Sequence, residues 1–474
     1  MSLFASWVER ADPSAAAVAD DGERLSYGEL LARSRAQARA LRRTHGAGRF
    51  VLIPAERSVR FVRTLLAASI SGNVPVPIDA QAPERAVQEI ARRCGDSVRL
   101  GLDAQPEEGE GPLPERDPAL PELVIFTSGT SGTPKGVPMS AENLTHSARA
   151  VTGYLDYAGN PSAAVVLPLH YSYALLTQVL YMFYVGGTVR LFDNFRNPIK
   201  LAKVVEAEGL RTFCGVPSTY HSLCALHRLT PLSMPSVRVL CSAGAAMDRQ
   251  LLPTVKEIFP NARFFDNYGM TEATPRISYI RDDDPRFAEP TCGRPIDGLE
   301  VFVVDEQDLS AKAEGEEGIL AIRGPSIVKG YLNDPESTRR AFRPDGAVLS
   351  GDIARISGGY IYLLGRRDEM LKVGGEKVSP LEIERALAEH DDVIESAVGG
   401  IDDPQRGQIP AAYVELKRPV DRQTLTEFLR ARLAPVKVPV RYFEVRSFPL
   451  TPNGKLQRAL LSPSDREHVI REIV

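Results

Sequence analysis

The chain has 474 residues, more than one hydrophobic core usually organises, so we expect at least two domains. Apolar residues make up 43% and charged residues 25%, as in ordinary globular proteins. The net charge of −4 lacks the strongly basic footprint of nucleic-acid-binding proteins, so a nucleic-acid partner is disfavoured.

Nothing in the composition favours export or membrane insertion. The N-terminal stretch contains acids and lacks the apolar core of a signal peptide, and no window reaches the roughly 18 apolar residues of a membrane span. The sequence therefore favours a cytoplasmic protein without a membrane partner. The cysteines are scattered without a C-x-x-C pair, which favours buried structural residues in a reducing compartment. They are Cys94, Cys214, Cys224, Cys241 and Cys292.

The first part of the chain alternates between helical and strand patterns. Residues 26–44 are amphipathic, and Ser26 followed by Glu29 predicts a helix opened by a capping box. The apolar run at 51–55 predicts a buried strand, followed by a helix to about Ser71 and a strand at 74–79. This alternation indicates α/β layering with parallel strands.

The pattern resumes after residues 103–122, an acidic segment rich in proline and glycine that we expect to be a surface loop. From about residue 300 it changes to short β segments, and Pro380 after Ser379 predicts a helix over 380–390. The other predicted strands cover 163–169, 187–192, 211–217, 236–244, 299–305, 317–324, 358–366 and 411–417, and a last helix covers 421–433.

The stretch 123–138 has the chemistry of a phosphate-binding loop. An apolar strand leads into glycines, which let backbone N–H groups surround an anion, with hydroxyl donors and a lysine beside them. No G-x-x-x-x-G-K-[ST] pattern occurs there, which disfavours a P-loop kinase or ATPase. A flexible Ser/Gly/Thr linker is the structural alternative. The loop residues are Thr127, Ser128, Gly129, Thr130, Ser131, Gly132, Thr133, Pro134, Lys135 and Gly136.

This loop closely resembles the signature loop of the adenylate-forming superfamily, which includes acyl-CoA synthetases, nonribosomal peptide synthetase adenylation domains and beetle luciferases. Residues 267–272 resemble the Y-G-x-T-E motif of the same family. A tyrosine ring can stack on adenine, a threonine hydroxyl can hold the α-phosphate, and a glutamate can ligate Mg²⁺. Alone, Glu272 would more readily be a solvated loop acid. The resemblance implies nucleotide binding by Asn267, Tyr268 and Gly269, and catalytic roles for Thr271 and Glu272, with Glu272 as the metal ligand.

Three further matches follow in the family's order. Ser350-Gly351-Asp352 is similar to T-G-D, with serine in place of the usual threonine, and an ionised aspartate can accept both ribose hydroxyls. The segment from Gly365 resembles the hinge region, which implies that Arg366 contacts the ribose or phosphates and that Asp368 is the hinge. Asn453-Gly454 predicts a tight turn that presents Lys455, the residue matching the family's catalytic lysine.

The resemblance implies an α/β protein in two parts. Residues 1–367 would form a large ATP- and acyl-binding domain of mainly parallel sheets flanked by helices, with a β subdomain. Residues 368–474 would form a small, mobile α+β domain carrying Lys455. The implied reaction uses ATP and Mg²⁺ to convert a carboxylic acid into acyl-AMP with release of pyrophosphate. The acyl group would then pass to a thiol, most simply that of CoA.

The segment at 166–175 resembles a wall of the family's acyl pocket. Amino-acid-activating relatives carry an aspartate there to pair with the substrate ammonium, whereas His170–Tyr173 contains no acid, so an α-amino acid is disfavoured. An aryl or short- to medium-chain acid is expected. Arg276 could meet a second polar or anionic group of the substrate, but a structural salt bridge is the favoured interpretation. The implied pocket residues are Tyr171, Ser172, Leu175, Cys241, Ala243, Pro275 and Arg276.

Several alternatives stay open at the level of sequence. A stand-alone enzyme that loads the phosphopantetheine of an acyl or peptidyl carrier protein would have the same motifs. So would a luciferase-type oxygenase. A non-catalytic ligand-binding homologue is disfavoured because it would have no need to keep Lys455, Glu272 and Asp352 together. The chain could act as a monomer or as a homodimer.

Overall fold

The computed structural model describes residues 2–101, 116–127, 134–193, 195, 197–449 and 456–474. These residues form two compact units, Met1–Val301 with Ile322–Leu349 and Phe302–Ala321 with Ser350–Val474. The α/β architecture expected from the sequence is confirmed. The predicted hinge at Asp368 and the division at 367/368 stay predictions, as does the mobility of the C-terminal part.

The helices of the described chain agree closely with the helical patterns of the sequence. They are α1 (Leu3–Glu9), α2 (Tyr27–His45), α3 (Val59–Ile70), α4 (Glu84–Cys94), α5 (Ala141–Tyr154), α6 (Ser172–Ala174), α7 (Tyr181–Tyr184), α8 (Pro198–Ala207), α9 (Pro217–Leu229), α10 (Leu252–Ile258), α11 (Pro335–Ala341), α12 (Pro380–Ala388) and α13 (Arg422–Arg430). A π-helical turn, Leu175–Leu180, joins α6 to α7. Short 3-10 turns cover Arg249–Leu251, Thr271–Ala273, Pro435–Lys437 and Arg458–Leu460.

The strands of the first unit are short and mostly buried. They are β1 (Ala16–Ala19), β2 (Arg24–Ser26), β3 (Phe50–Pro54), β4 (Val74–Ile78), β5 (Ser97–Arg99), β6 (Leu123–Thr127), β7 (Lys135–Met139), β8 (Ser162–Val165), β9 (Thr188–Leu191), β10 (Thr212–Gly215), β11 (Val239–Ala243), β12 (Arg263–Tyr268), β13 (Ser278–Arg281) and β14 (Arg294–Pro295). The strands of the later part are β15 (Glu300–Val304), β16 (Gly318–Arg323), β17 (Val348–Ser357), β18 (Tyr360–Arg366), β19 (Leu371–Val373), β20 (Glu376–Val378), β21 (Val393–Asp403), β22 (Gly407–Leu416), β23 (Arg441–Val445) and β24 (Val469–Ile473).

The first unit is organised around one large sheet with strand order β14-β13-β12-β11-β10-β8-β9-β1-β2. Its central strands run parallel, and antiparallel strands close both edges. A smaller parallel sheet has the order β4-β3-β5, and β6 and β7 form an antiparallel pair. Helices bury apolar faces against this framework. Trp7 packs edge-on against Phe4 and Tyr184 at ring-centroid distances of 5.6 and 5.3 Å.

Most of the residues of a sheet ordered β15-β16-β17-β18 lie in the second unit. That unit also holds a sheet of order β20-β19-β22-β23-β24, in which β21 pairs with β22. Helices α12 and α13 pack on the latter sheet and bury Ile383, Leu387, Leu425 and Leu429. The α+β character predicted for the C-terminal part is confirmed.

Local sequence signals account for the helix ends. The Ser26 hydroxyl accepts a hydrogen bond from the Glu29 backbone N–H at 3.2 Å, and the Glu29 carboxylate accepts one from the Ser26 N–H at 2.8 Å. Ser379 caps α12, whose first residue is Pro380, as expected. Several strands are shorter than predicted: β8 ends at Val165 because the chain turns at Leu167–Leu169 towards α6.

Two predicted segments fall wholly or partly outside the described residues, whereas the predicted burial of the cysteines can be compared with the structure. Residues 103–115, the first part of the loop predicted at 103–122, lie outside the described residues, as does the Asn453-Gly454 turn. Of the cysteines, Cys94, Cys214, Cys224 and Cys241 are buried free thiols, and Cys292 is half-buried. None of the described helices combines the length and apolarity that a membrane span requires.

Candidate active site

The ends of the phosphate-binding loop are set by a hairpin-like strand pair. Thr127 on β6 pairs with Lys135 on β7, and Phe126 pairs with Gly136. At Gly136 a Cβ would lie 3.0 Å from the Phe126 ring and 3.2 Å from the Cβ of Leu332, so the position has little room for a side chain. Ser128, Gly129, Thr130, Ser131, Gly132 and Thr133 lie outside the described residues, and their role in binding phosphate stays a prediction.

A buried carboxylate lies next to the end of this loop. The Tyr331 hydroxyl donates a hydrogen bond to Glu272 Oε1 at 2.7 Å, and the Lys135 ammonium lies 4.9 Å from the centre of the Tyr331 ring. Glu272 is only 8% exposed, so its charge is held in a protected position. We refer to Lys135, Glu272 and Tyr331 as the Glu272 cluster. It brings together residues from three segments that lie far apart in the sequence.

Thr271 meets a residue predicted for the acyl pocket. Its Oγ1 lies 3.0 Å from the Ser172 Oγ at the start of α6, within hydrogen-bond distance. Ser172 is buried, and Tyr171 just before it is half-exposed with its ring 4.0 Å from that of His170. A hydroxyl pair is therefore in place beside Glu272, where a phosphoryl or carboxyl oxygen could be bound.

The turn between β12 and β13 holds Thr271 and Glu272 rigidly. A Cβ at Gly269 would lie 1.9 Å from the Pro275 carbonyl oxygen, so only glycine fits there. Thr274 adopts a left-handed conformation with φ of 53°, and its carbonyl accepts a hydrogen bond from the Tyr181 hydroxyl at 2.9 Å. Ile277 N–H donates to the Tyr268 carbonyl at 2.9 Å and closes the turn.

Asn267 is engaged within the protein. Its Nδ2 donates to the Ser242 and Phe265 carbonyls at 3.1 and 2.9 Å, and its Oδ1 accepts from the Tyr154 hydroxyl at 2.7 Å. These bonds fix the end of β12 immediately before Tyr268, which is half-exposed. Asn267 thereby positions the tyrosine predicted to stack on adenine.

The remaining predicted pocket residues lie around the same region of the first unit. Cys241 and Ala243 alternate on β11 and are buried, as are Leu175 and Pro275. The Tyr173 hydroxyl lies 3.5 Å from the Cys241 carbonyl oxygen. The Tyr173 side chain thus lies between the Cys241 carbonyl and the Arg276 guanidinium, and Ser172 beside it in sequence contacts Thr271.

The interpretation of Arg276 as part of a structural salt bridge is wrong. Arg276 is 1% exposed, and no described carboxylate forms an ion pair with it. Its guanidinium carbon lies 5.0 Å from the centre of the Tyr173 ring, and Nε and Nη2 have no hydrogen-bond partner. A buried charge without a partner costs several kcal/mol. No pattern in the sequence around Pro275-Arg276 indicates that this arginine is buried and unpaired.

The predicted ribose-binding residues are neighbours in the second unit. Asp352 on β17 pairs directly with Arg366 on β18, and Arg366 Nη1 lies 3.3 Å from Asp352 Oδ1. Arg366 Nη1 also donates to the Ser350 carbonyl at 3.1 Å, and its Nε lies 3.4 Å from Asp368 Oδ1. This network orients the Asp352 carboxylate, which is 9% exposed. Lys455 lies outside the described residues.

The donor set of the first unit suits Mg²⁺ held jointly with phosphates. No cluster of three or more His, Cys, Asp or Glu side chains that could hold a metal occurs within the described residues. Mg²⁺ commonly binds through one or two carboxylates together with substrate phosphates, and the Glu272 carboxylate has oxygen atoms of this hard type. One carboxylate of this kind therefore suits a Mg²⁺ ion that enters the site already bound to the phosphates of a nucleotide.

Two residues of this region were not singled out from the sequence. Tyr331 lies outside the motifs named above, and its contact with Glu272 spans 59 residues of chain. Asp266 precedes Asn267 on β12, and burial raises the pKa of its carboxyl to about 6. Its place beside the recognised motif was the available signal.

Comparison with known proteins identifies the family of the chain. Residues 4–332 match the AMP-binding enzyme family, and residues 382–455 match the AMP-binding enzyme C-terminal domain. A feruloyl-CoA synthase from Amycolatopsis sp is 31% identical over 480 residues, covering 94% of this chain and 95% of that protein. A long-chain-fatty-acid–CoA ligase from Bacillus subtilis (strain 168) is 29% identical, covering 88% and 75%. ATP-bound MatB from Rhodopseudomonas palustris has a TM-score of 0.88 at 24% identity, covering 97% of both chains, which shows the shared fold.

The chain belongs to the AMP-binding enzyme family and thus to the adenylate-forming superfamily. Within it, the chain is an AMP-forming acid–thiol ligase of the acyl-CoA synthetase type.

Proposed function

We propose that this enzyme joins ATP to an aryl or short- to medium-chain carboxylic acid, releases pyrophosphate, and transfers the acyl group from acyl-AMP to CoA. The observation that carries the proposal is the Glu272 cluster. There, a buried carboxylate, a phenol and an ammonium meet at the end of a glycine-rich loop. Such a group of charges and donors suits the polyphosphate of a nucleotide bound with Mg²⁺.

The chemistry explains why these residue types are needed. A carboxylate is a weak electrophile, and its attack on the α-phosphorus brings two anions together. Oriented donors and cations must offset the charge that builds on the phosphoryl oxygens. In this proposal Thr271 donates to the α-phosphate, and Glu272 holds Mg²⁺, which neutralises phosphate charge. Lys135 and the residues 127–136 bind the departing pyrophosphate.

The residues of the second unit take the complementary roles. Asp352, oriented by Arg366, accepts the ribose hydroxyls. Lys455 bridges the substrate carboxylate and the α-phosphate during adenylation. A turn of the C-terminal part about Asp368 then removes Lys455 and admits the thiol.

The acid is not an α-amino acid in this proposal. The segment His170–Tyr173 offers no carboxylate for an ammonium, and the buried guanidinium of Arg276 beside Tyr173 would repel one. Relatives named as feruloyl-CoA and fatty-acid–CoA ligases support a carboxylic acid without an α-ammonium.

A pyrophosphate-release assay tests the function. Purified enzyme is given MgATP and a panel of aryl, short-chain, medium-chain and amino acids. We expect release with at least one non-amino acid, dependent on both Mg²⁺ and the acid. Release with none of the panel, or only with amino acids, would contradict the proposal.

The acceptor is tested with the acid so identified. CoA and a phosphopantetheinylated carrier protein are supplied in parallel, and thioester is measured by mass spectrometry. We expect acyl-CoA. Thioester on the carrier protein alone would instead assign a carrier-loading enzyme.

A further inference from the structure

The environment of Arg276 has a positive charge without a matching negative one. The Arg276 guanidinium lies over the face of the Tyr173 ring, which attracts a cation. The ring cannot accept the hydrogen bonds of the N–H groups that point outward in the plane of the guanidinium. Nε and Nη2, the two nitrogens without a partner, form one edge of the guanidinium. That edge has the geometry that binds the two oxygens of a carboxylate.

The neighbouring phenols do not neutralise this charge. The Tyr154 hydroxyl donates to Asn267 Oδ1 at 2.7 Å, and the Tyr173 hydroxyl points to the Cys241 carbonyl. Burial raises the pKa of both phenols well above their usual value, so both stay protonated at neutral pH.

Two cysteine thiols lie in the same part of the structure as Arg276. Cys214 and Cys241 face each other on β10 and β11. Burial raises the pKa of Cys241, whereas hydrogen bonding with Cys241 lowers that of Cys214. Neither thiol is a carboxylate, so the protein offers no carboxylate partner for the guanidinium within this group of side chains.

Arg276 lies in the same part of the first unit as the residues proposed to bind the reacting groups. It follows Thr271 and Glu272 in one turn, and it contacts Tyr173, the neighbour of Ser172, whose hydroxyl meets Thr271. A substrate bound at Thr271 and extending along Tyr173 would bring its far end towards the two unpartnered nitrogens of the guanidinium.

We propose that Arg276 binds a second carboxylate of the acid substrate, so that this enzyme acts on dicarboxylic acids and adenylates the carboxyl remote from Arg276. This inference rests on the proposed function. The two unpartnered nitrogens bind the two oxygens of the second carboxylate, and the ring of Tyr173 covers the face of the ion pair.

The test compares matched substrates. Pyrophosphate release is measured with aliphatic and aryl dicarboxylic acids and with their half-amides, which keep the shape and one carboxyl but lose the second charge. We expect wild-type kcat/KM to favour the best diacid over its half-amide by at least ~10-fold, because a site built for a polar group rejects its mismatched analogue.

Variants assign the preference to Arg276. In Arg276→Met the diacid should lose at least ~10-fold in kcat/KM, while the half-amide changes much less, so that the preference disappears. Arg276→Lys keeps the charge without the two-nitrogen edge and should restore only part of the preference. Arg281→Met is the matched control, because Arg281 lies on β13 in an exposed ion pair with Asp283, and it should keep the wild-type preference.

A binding measurement guards against a misfolded variant. In the presence of saturating MgATP, adding the diacid should raise the melting temperature of wild type and of Arg281→Met further, but not that of folded Arg276→Met. Equal use of diacids and half-amides by wild type would overturn the inference while leaving the proposed function intact. If no acid of either series releases pyrophosphate, the proposed function fails as well.

Discussion

Glu272 shows how one residue acquires a role from its surroundings. It is a loop acid by sequence, yet the structure buries it and gives it a neutral donor, the Tyr331 hydroxyl. A neutral donor leaves the carboxylate its full charge for a cation. An arginine in that place would have neutralised it.

Glu272→Gln should therefore lower the rate of pyrophosphate release by at least ~10²-fold, because the amide keeps the size but not the charge that holds Mg²⁺. Raising the Mg²⁺ concentration should recover part of the rate. Glu142→Gln, an exposed acid on α5 of the same unit, is the control and should behave as wild type. A Glu272→Gln enzyme with wild-type rate at low Mg²⁺ would exclude the metal role.

Asp266 makes stability depend on pH. Its folded pKa of about 6, raised by burial, lies above the value of about 4 in an unfolded chain. The folded state thus binds more protons between pH 4 and 6, and stability falls as pH rises through that window. Asp266→Asn should raise the free energy of unfolding at pH 7 by roughly 1–3 kcal/mol, with the gain vanishing near pH 4. Melting curves across this range check it, with the exposed Asp297→Asn as control. An equal gain in the free energy of unfolding at pH 4 and pH 7 would contradict the raised pKa of Asp266.

At the scale of elements, the turn between β12 and β13 does most to shape the site. It carries Tyr268, Thr271, Glu272 and Arg276, and the close approach of Gly269 to Pro275 fixes its path. Residues on one rigid turn keep their spacing when substrate binds, which suits preorganised catalysis.

Gly269→Ala should disturb this turn. The added methyl would overlap the Pro275 carbonyl, which is backbone and cannot rotate away, and the cost should be about 1–3 kcal/mol of stability. We also expect a loss of pyrophosphate release measured below the melting temperature. Gly153→Ala in α5, where a methyl would meet nothing within 4 Å, should lose neither. Full activity in Gly269→Ala would show that the turn tolerates movement.

The sequence predicts best those features that depend on neighbouring residues. The capping box of Ser26 and Glu29 and the start of α12 at Pro380 were predicted because cap and helix lie within one turn of each other. The sequence did not predict that Tyr331 contacts Glu272 or that Arg276 is unpaired, because both features depend on packing between distant segments. The π-helical turn at Leu175–Leu180 likewise has no local signature.

In the proposed mechanism of the whole molecule, Lys455 acts in adenylation and not in the later formation of the thioester. Lys455→Ala should lower adenylation by at least ~10²-fold, since it removes a transition-state charge partner. Thioester formation from synthetic acyl-AMP should be largely kept. Lys417→Ala, an exposed lysine of the same unit, serves as control. Wild-type pyrophosphate exchange in Lys455→Ala would show that the lysine has another role.

If a substrate carboxylate attacks the α-phosphorus of ATP, one of its oxygen atoms must end in the AMP product. Enzyme is incubated with MgATP, CoA and the active acid carrying ¹⁸O in its carboxyl groups, and the nucleotide product is examined by mass spectrometry. We expect AMP that has gained one ¹⁸O from the acid for each thioester formed. Unlabelled AMP, or ADP as the nucleotide product, would contradict it.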